Sequence, residues 1–272
     1  NAAFVECEDV RDFLVHQVRP LLDRAADGGR ADETVHGAFL RVLGWMFSLG
    51  RLNDPMHFQA DLAGARAVFE VAVDLALLQH DRANHGAAQI VAWERSAMLA
   101  LAEKTAEHYR RAGTPVPVEH QERLEFARRE GPAILQLRRT TWPRRKQPER
   151  HPLRWTGRNL GDDARRADQF GPYGFTAFYE LRYAEWCWGT HGSGLAGIRP
   201  VSRELFPGLA ANALHETARI ALIAARLALE YFGKWDGIVA VRFEQLEEQA
   251  RRNRALAFAT QKGLLPRPVP RG

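Results

Sequence analysis

Apolar residues along this chain recur at intervals of three and four positions, the spacing of one face of an α-helix. Runs that alternate apolar and polar residues between hairpin turns, the pattern typical of β-strands, are scarce. We therefore predict an all-α protein, and its short loops favour antiparallel neighbours in a helical bundle. The eight predicted helices cover residues 8–26, 32–49, 56–79, 83–111, 118–139, 173–188, 207–232 and 238–260.

One segment, residues 138–158, breaks this helical pattern. Its sequence "RRTTWPRRKQPERHPLRWTGR" has eight Arg or Lys, one acid and several prolines, a composition that no amphipathic helix holds. We interpret it as a long basic connecting loop within a single helical domain, 1–272. The loop would join two packed halves, 1–139 and 151–262, and residues 263–272 would form an extended proline-rich tail.

The basic segment is also the candidate nucleic-acid-binding region. Its arginines are interleaved with Trp142 and Trp155, which could grip phosphates and stack on bases. The alternative is a solvated loop, or one whose tryptophans pin it to the helices. The residues that we expect to contact phosphates are Arg144, Arg145, Lys146, Arg154 and Arg158.

The composition permits an anionic partner without requiring one. The chain has 38 basic and 33 acidic residues, a formal net charge of +5, and 46% apolar residues, enough for a substantial core. Only four of the basic residues are lysine, a bias typical of GC-rich bacterial genomes. RNA or a nucleotide is therefore an expected partner class, and a homodimer is a second expectation.

Several classes of protein are not expected from the sequence. Cys7 and Cys187 are the only cysteines, too few for a disulfide framework, a Cys-rich zinc site or an iron–sulfur cluster. Glu103 and Glu107 have a metal-ligand spacing, but their basic neighbours favour a solvated helix face. We expect no metal and no cofactor. With no signal peptide or membrane-length apolar run, we expect a cytoplasmic protein with no membrane partner.

A charged stripe on one apolar helix is the first candidate for chemistry. Arg66, Glu70 and Asp74 recur every four residues in "DLAGARAVFEVAVDLALLQ", which places them in one row on a helix. One interpretation is a narrow solvent-facing stripe with i,i+4 salt bridges. The other is that this helix is central, so that its charges line an internal polar site.

The stretch "WGTHGSGLAG" is the second candidate. Gly192, Gly194 and Gly197 have the spacing of a dinucleotide-binding loop, but a helix precedes them and Pro200 follows, so the strand–turn–helix context is missing. The glycines are better suited to freeing the backbone around His191. That histidine is either a general base or a cap for the helix that ends before it.

These two stretches resemble a bacterial domain-of-unknown-function family of helical proteins. Its pattern is an Arg-x-x-Phe-Glu helix followed by a Tyr-x7-His-x-Ser segment, and the resemblance covers about residues 56–232. Cys187 stands where that family usually has serine. The matching residues are Arg66, Phe69 and Glu70 in the helix, Trp155 and Gly157 in a tryptophan-containing segment, and Tyr183, His191 and Ser193.

That family is distantly similar to HEPN helical domains, many of which are metal-independent ribonucleases. The similarity implies an Arg-x4–6-His pair at a dimer interface, in which the His assists attack by the ribose 2′-hydroxyl and the Arg stabilises the phosphate. Five such pairs occur here, about as many as this composition produces by chance, so the motif selects none of them.

Two functions of different classes remain open. The first is a polar-ligand or RNA site, in its catalytic form a HEPN-like ribonuclease, with Arg66, Glu70, Tyr183 and His191 as catalytic residues. The second is a non-catalytic helical interaction protein, in which those residues form an internal structural network.

Overall fold

The all-α prediction is confirmed by the computed structural model. It describes residues 2–26, 29–52, 54–80, 86–143, 145–147, 149–190 and 205–261, and within these ranges no strand occurs. The helices are α1 (Ala2–Phe13), α2 (Arg19–Asp23), α3 (Arg30–Leu49), α4 (Phe58–His80), α5 (Gly86–Ala112), α6 (Val118–Thr141), α7 (Leu160–Asp168), α8 (Phe175–Phe178), α9 (Ala184–Thr190), α10 (Leu205–Tyr231) and α11 (Gly237–Gln261).

The helices lie within a few residues of most predicted positions, with three differences. The predicted helix 8–26 begins at Ala2, and a π-helical turn, Leu14–Val18, interrupts it between α1 and α2. The short helix α7 was not predicted; it begins where the Asn159 side chain accepts a hydrogen bond from the backbone N–H of Asp162 at 2.8 Å. The predicted helix 173–188 is interrupted, because a π-helical turn, Tyr179–Tyr183, separates α8 from α9. The antiparallel arrangement stays a prediction.

The chain divides into two compact units. The first contains residues 1–80 and 164–272, and the second contains residues 81–163. The basic segment 138–158 lies inside the second unit, so the boundaries between the units fall on either side of it.

The core of the first unit is built on α4 and α10. Both helices are apolar on most of their circumference, which suits a buried central helix. Gly64 of α4 allows a close approach to α3, since a Cβ there would lie 2.9 Å from Leu49 Cδ2. Each fully buried leucine or valine in this core contributes about 1.5–3 kcal/mol. Helix α4 is therefore held firmly, and with it Arg66 and Glu70.

The second unit is built on α5 and α6, which pack against each other, and Leu99 of α5 and Ile134 of α6 are buried. Helix α5 ends at Gly113, which has a φ of +65° in the left-handed region. The backbone N–H of Thr114 there returns to the carbonyl of Tyr109 at 3.2 Å, a standard glycine C-terminal cap. Helix α6 packs against α5, and the basic segment follows α6 along the chain.

Candidate functional site

A hydrogen-bonded cluster joins α4 to the π-helical turn. Arg66 Nε donates to Glu70 Oε1 at 2.9 Å, and the Tyr183 hydroxyl donates to the same oxygen at 2.6 Å. The guanidinium of Arg66 lies over the Tyr183 ring, 5.4 Å from its centroid. The structure therefore brings together three of the four residues that the sequence suggested as catalytic, although Glu70 and Tyr183 are 113 residues apart.

The position of Tyr183 depends on a local capping interaction and on the π-helical turn. The carboxylate of Asp168 accepts the backbone N–H groups of Phe175 and Thr176 at 2.9 and 2.8 Å, which fixes the start of α8. The turn Tyr179–Tyr183 then inserts an extra residue and shifts the register of the side chains that follow. Such insertions occur frequently at functional sites.

Phe69 forms the apolar base of this cluster. Phe69 stands between Arg66 and Glu70 in the sequence of α4, and its side chain is fully buried. Its ring centroid lies within 5.8–6.2 Å of four other aromatic rings, a spacing that favours edge and offset contacts. Those rings belong to Phe175, Phe178, Tyr183 and Trp186.

The cluster fixes the protonation states of two of its members. Burial and the hydrogen bond to Glu70 raise the pKa of Tyr183 far above its usual value, so its hydroxyl remains a donor. Burial lowers the pKa of Arg66, but the hydrogen bond with Glu70 and the neighbouring Tyr183 and Glu70 more than offset this effect. Arg66 is therefore a permanent cation, and Tyr183 is unsuited to act as a base at neutral pH.

The cluster is reachable from solvent. About a third of each charged side chain is exposed: 30% of Arg66 and 33% of Glu70. Both hydrogen bonds to Glu70 within the described residues end on Oε1, which leaves Oε2 able to accept a donor from a ligand. Arg66 supplies a positive charge beside it. The arrangement can therefore recognise a ligand that combines an anionic group with a hydroxyl or amino donor.

The charged stripe combines features of both interpretations. Arg66 and Glu70 form the i,i+4 ion pair expected of a surface stripe, and Asp74 is half-buried like them. Nevertheless α4 is otherwise a core helix, and the stripe is covered in part by Tyr183. The residues are neither a fully solvated face nor a sealed polar core.

Other members of the predicted site lie outside the described residues. These include His191, the proposed base, together with Ser193 and the three glycines Gly192, Gly194 and Gly197. Cys187 is described; it is a free, half-buried thiol one helical turn beyond Tyr183. The structure thus describes the acidic and cationic part of the site.

In the second unit, the two tryptophans of the basic segment are buried. Trp142 and Trp155 are 5% and 6% exposed, and Trp142 Nε1 donates to the carbonyl of Trp155 at 2.9 Å. Buried rings are unavailable for stacking on bases. Of the two alternatives for the tryptophans, the structure favours the one in which they pin the segment.

The arginines of the basic segment differ from one another. Arg154 and Arg158 both bind the fully buried carboxylate of Asp163, at 2.7 and 3.3 Å, and Arg154 is only 12% exposed. A buried carboxylate needs such partners, so Arg154 has a structural role. Lys146 is exposed and Arg145 half-buried. Arg144 lies outside the described residues, and phosphate contact by this segment stays a prediction.

A substitution at Gly157 tests whether Trp142 anchors the basic segment 138–158. Gly157 has a φ of +75°, and a Cβ there would lie 2.6 Å from Trp142 Cδ1. We expect Gly157→Ala to destabilise the second unit by about 2–4 kcal/mol, from backbone strain together with displacement of the indole. The matched control is Gly113→Ala, where φ is also positive but no atom lies within 4 Å.

Hydrogen exchange of the peptides covering 142–158, followed by mass spectrometry, measures this effect. Gly113→Ala is expected to leave their protection close to that of the wild type and to cost about 1 kcal/mol from backbone strain. Equal protection of 142–158 in the two variants would contradict the role assigned to Trp142.

Sequence reasoning missed a buried arginine in the second unit. Arg138 is 1% exposed and donates to Ser96 Oγ at 2.6 Å, to the Ser96 carbonyl and to the Glu149 carbonyl. Ser96 Oγ also bonds His151 Nδ1 at 2.9 Å. Burial, then the charges of Arg138 and other bases, lower the pKa of His151 to about 4, so it is neutral at neutral pH. This network attaches the basic segment to α5.

A buried acidic cluster in the first unit was missed as well. Glu6 Oε2 accepts hydrogen bonds from His215 at 2.9 Å and Asn253 at 3.3 Å. Asp61 is 1% exposed, and neither of its oxygens has a hydrogen-bond partner within the described residues. No sequence signal identifies these contacts, because their partners are up to 247 residues apart.

The described residues provide no group of three or more His, Cys, Asp or Glu side chains placed to hold a metal ion. None of the helices among those residues is long and apolar enough to cross a membrane.

Comparison with protein-family models, curated proteins and solved structures finds no match for this chain. The class that the fold and the site define is an all-α protein with a partly exposed Arg–Glu–Tyr cluster. Any function must therefore be argued from this chain's own residues.

Proposed function

We propose that this chain is a helical protein that binds RNA at the cluster of Arg66, Glu70 and Tyr183, and that His191 completes a metal-independent, HEPN-like ribonuclease site. The observation that carries the proposal is the convergence of these three side chains in a partly exposed place. Neither core packing nor helix propensity requires such a cluster.

Each residue has a role that its chemistry supports. Arg66 is a permanent cation, suited to a phosphate oxygen. Glu70 Oε2 is suited to accept a ribose hydroxyl, and the Tyr183 hydroxyl keeps Glu70 oriented by its bond to Oε1. In the catalytic form, His191 takes the proton of the 2′-hydroxyl as that oxygen attacks the adjacent phosphorus. The bond from phosphorus to the 5′-oxygen breaks and that oxygen takes a proton from water, leaving a 2′,3′-cyclic phosphate and a 5′-hydroxyl.

The experiment is incubation of single-stranded RNA with the protein in EDTA, comparing wild type with His191→Ala. We expect wild type to yield fragments with 5′-hydroxyl ends, and His191→Ala to be slower by about 100-fold or more, the usual contribution of a general base. His108→Ala, which changes an exposed histidine of α5, is the matched control and should cleave like the wild type. RNA with 2′-deoxy substitutions should not be cleaved.

The outcomes separate the catalytic from the non-catalytic form. Equal products from wild type and His191→Ala, or none from either, would end the ribonuclease proposal. Binding without cleavage would be measured by the anisotropy of labelled RNA. There Arg66→Gln should weaken binding about tenfold, the loss of one charge-assisted contact.

A second candidate is a structural network in a non-catalytic interaction protein. It is favoured by one observation: Arg66 and Tyr183 both donate to Glu70 within the chain itself. In that case Glu70→Gln would lower the stability of the first unit and leave RNA binding unchanged.

A further inference from the structure

A cavity of about 400 Å³ lies between α10 and α11 in the first unit. Its volume is within the range of about 300–1,000 Å³ typical of small-molecule sites. Three of its lining residues are arginines and one is an acid, so the lining has a net positive charge. The lining residues are Arg219 and Leu222 of α10, and Glu247, Ala250, Arg251 and Arg254 of α11.

The helical spacing explains how these residues converge. On α11 the four lining residues follow one another at intervals of three, one and three positions, which places them on one face of the helix. On α10 Arg219 and Leu222 are three positions apart. Leu222 and Ala250 are buried and make an apolar floor beneath the charged groups.

The carboxylates near the cavity do not satisfy its arginines. Arg219 NH1 is 3.9 Å from Glu216 Oε2, and the Arg251 guanidinium is 3.7 Å from Glu247 Oε2 and 3.8 Å from Glu248 Oε2. These three distances are too long for a hydrogen bond. Arg254 Nε donates at 3.3 Å to the carbonyl of Ala250 in its own helix. Most guanidinium donors around the cavity therefore have no acceptor among the described residues.

Arg219 is held in a position that water only partly reaches. Its guanidinium lies 4.6 Å from the centroid of the Phe178 ring, and its side chain is 34% exposed. Burial is the main effect on the pKa of Arg219 and lowers it, while the charge of Glu216 opposes the shift. Glu216 Oε2 is itself buried without a hydrogen-bond partner within the described residues. A partly desolvated cation of this kind is stabilised by an anion that supplies acceptors.

We propose that this cavity binds a small phosphorylated metabolite. The guanidinium groups of Arg219, Arg251 and Arg254 would hold the phosphate, because their paired N–H donors match its oxygens. Glu247 would accept a hydrogen bond from a hydroxyl or amino group of the same ligand. The site is distinct from the Arg66 cluster and does not rest on the function proposed above.

Calorimetric titration with inorganic pyrophosphate, at an ionic strength held constant with chloride, tests the phosphate part of this site. The full chain should bind pyrophosphate saturably with one site. We expect Arg219→Gln and Arg254→Gln each to weaken binding about tenfold or more, the effect of losing a charge-assisted hydrogen bond. Arg252→Gln is the matched control: Arg252 is 74% exposed on the same helix and does not line the cavity.

The Glu247→Gln variant distinguishes a change in phosphate binding from a loss of binding caused by a damaged fold. Removing this carboxylate should tighten pyrophosphate binding several-fold, because it eliminates a negative charge that repels the bound anion. A damaged fold would not produce tighter binding. Circular dichroism of each variant confirms the helical content, and Arg254→Gln supplies the test if Arg219→Gln does not fold.

Three outcomes would overturn the proposal. The first is the absence of saturable binding by the wild type. The second is an equal loss in Arg252→Gln and Arg219→Gln, which indicates general attraction to the basic surface. The third is single-stranded RNA binding that Arg219→Gln and Arg254→Gln abolish while Arg66→Gln leaves it unchanged, which assigns the cavity arginines to a nucleic acid instead.

Discussion

Replacing Phe69 by alanine is expected to lower the unfolding free energy of the first unit by about 3–5 kcal/mol, the usual cost of removing a fully buried aromatic side chain. Phe69 contacts four other rings at the base of the Arg66 cluster, so the cavity left behind cannot easily close. Loss of this base should also release Tyr183 from Glu70. Urea unfolding followed by circular dichroism, with hydrogen exchange of α4 peptides, measures both effects.

Phe47→Ala is the matched control for this experiment. Phe47 belongs to α3 in the same unit but is 42% exposed, so its removal should cost about 1 kcal/mol or less. If Phe69→Ala and Phe47→Ala lower stability equally, Phe69 does not support the cluster as described. Phe69→Leu, which keeps much of the apolar volume, should fall between the two.

The second large effect is a pH dependence of stability that originates in Asp61. Burial raises the pKa of the Asp61 carboxyl to about 7, against an ordinary value near 3.8. The unfolded chain therefore releases this proton at a lower pH than the folded chain does. The contribution of Asp61 to stability is fully present below about pH 4, and it is lost as the pH rises to about 7 and above.

Asp61→Asn should remove most of this dependence. At pH 8 we expect the variant to be more stable than the wild type by up to about 4 kcal/mol, the free energy that corresponds to a shift of three pH units. At pH 4 the two proteins should differ little. Denaturant unfolding at a series of pH values from 4 to 8 provides the measurement.

Asp236→Asn, an exposed carboxylate of the same unit, should leave the pH profile unchanged. A wild-type stability that stays flat between pH 4 and 7, or an Asp61→Asn profile as steep as that of the wild type, would show that Asp61 ionises without cost. Cys7 and Glu6 are the neighbouring groups to consider, since burial raises the pKa of Cys7 and the charges of Glu6 and Asp61 raise it further.

The sequence could indicate those residues of the site that belong to a periodic pattern or to a motif. Arg66 and Glu70 were found because charges at intervals of four are conspicuous on an apolar helix, and Tyr183 was found through a resemblance to a family pattern. Arg138 could not be found in this way, because a basic residue in the last turn of a helix is ordinary and usually solvated. Asp61 and Arg219 gave no periodic signal either.

The sequence by itself determined the helical class and the approximate ends of most helices. These features depend on local physics: the period of the apolar residues and the capping groups at the helix ends. The apolar periodicity did not predict some elements, because each is fixed by hydrogen bonds within a few residues. These elements include the π-helical turn Tyr179–Tyr183 and the short helix Leu160–Asp168.

Only the tertiary structure decided which charges are buried and which groups meet. Glu70 and Tyr183 are 113 residues apart, Glu6 and His215 are 209 apart, and the arginines that line the cavity belong to the two helices α10 and α11. Such contacts depend on how α4, α10 and α11 pack against their neighbours. Packing is a cooperative property of many side chains, so no local pattern in the sequence specifies it.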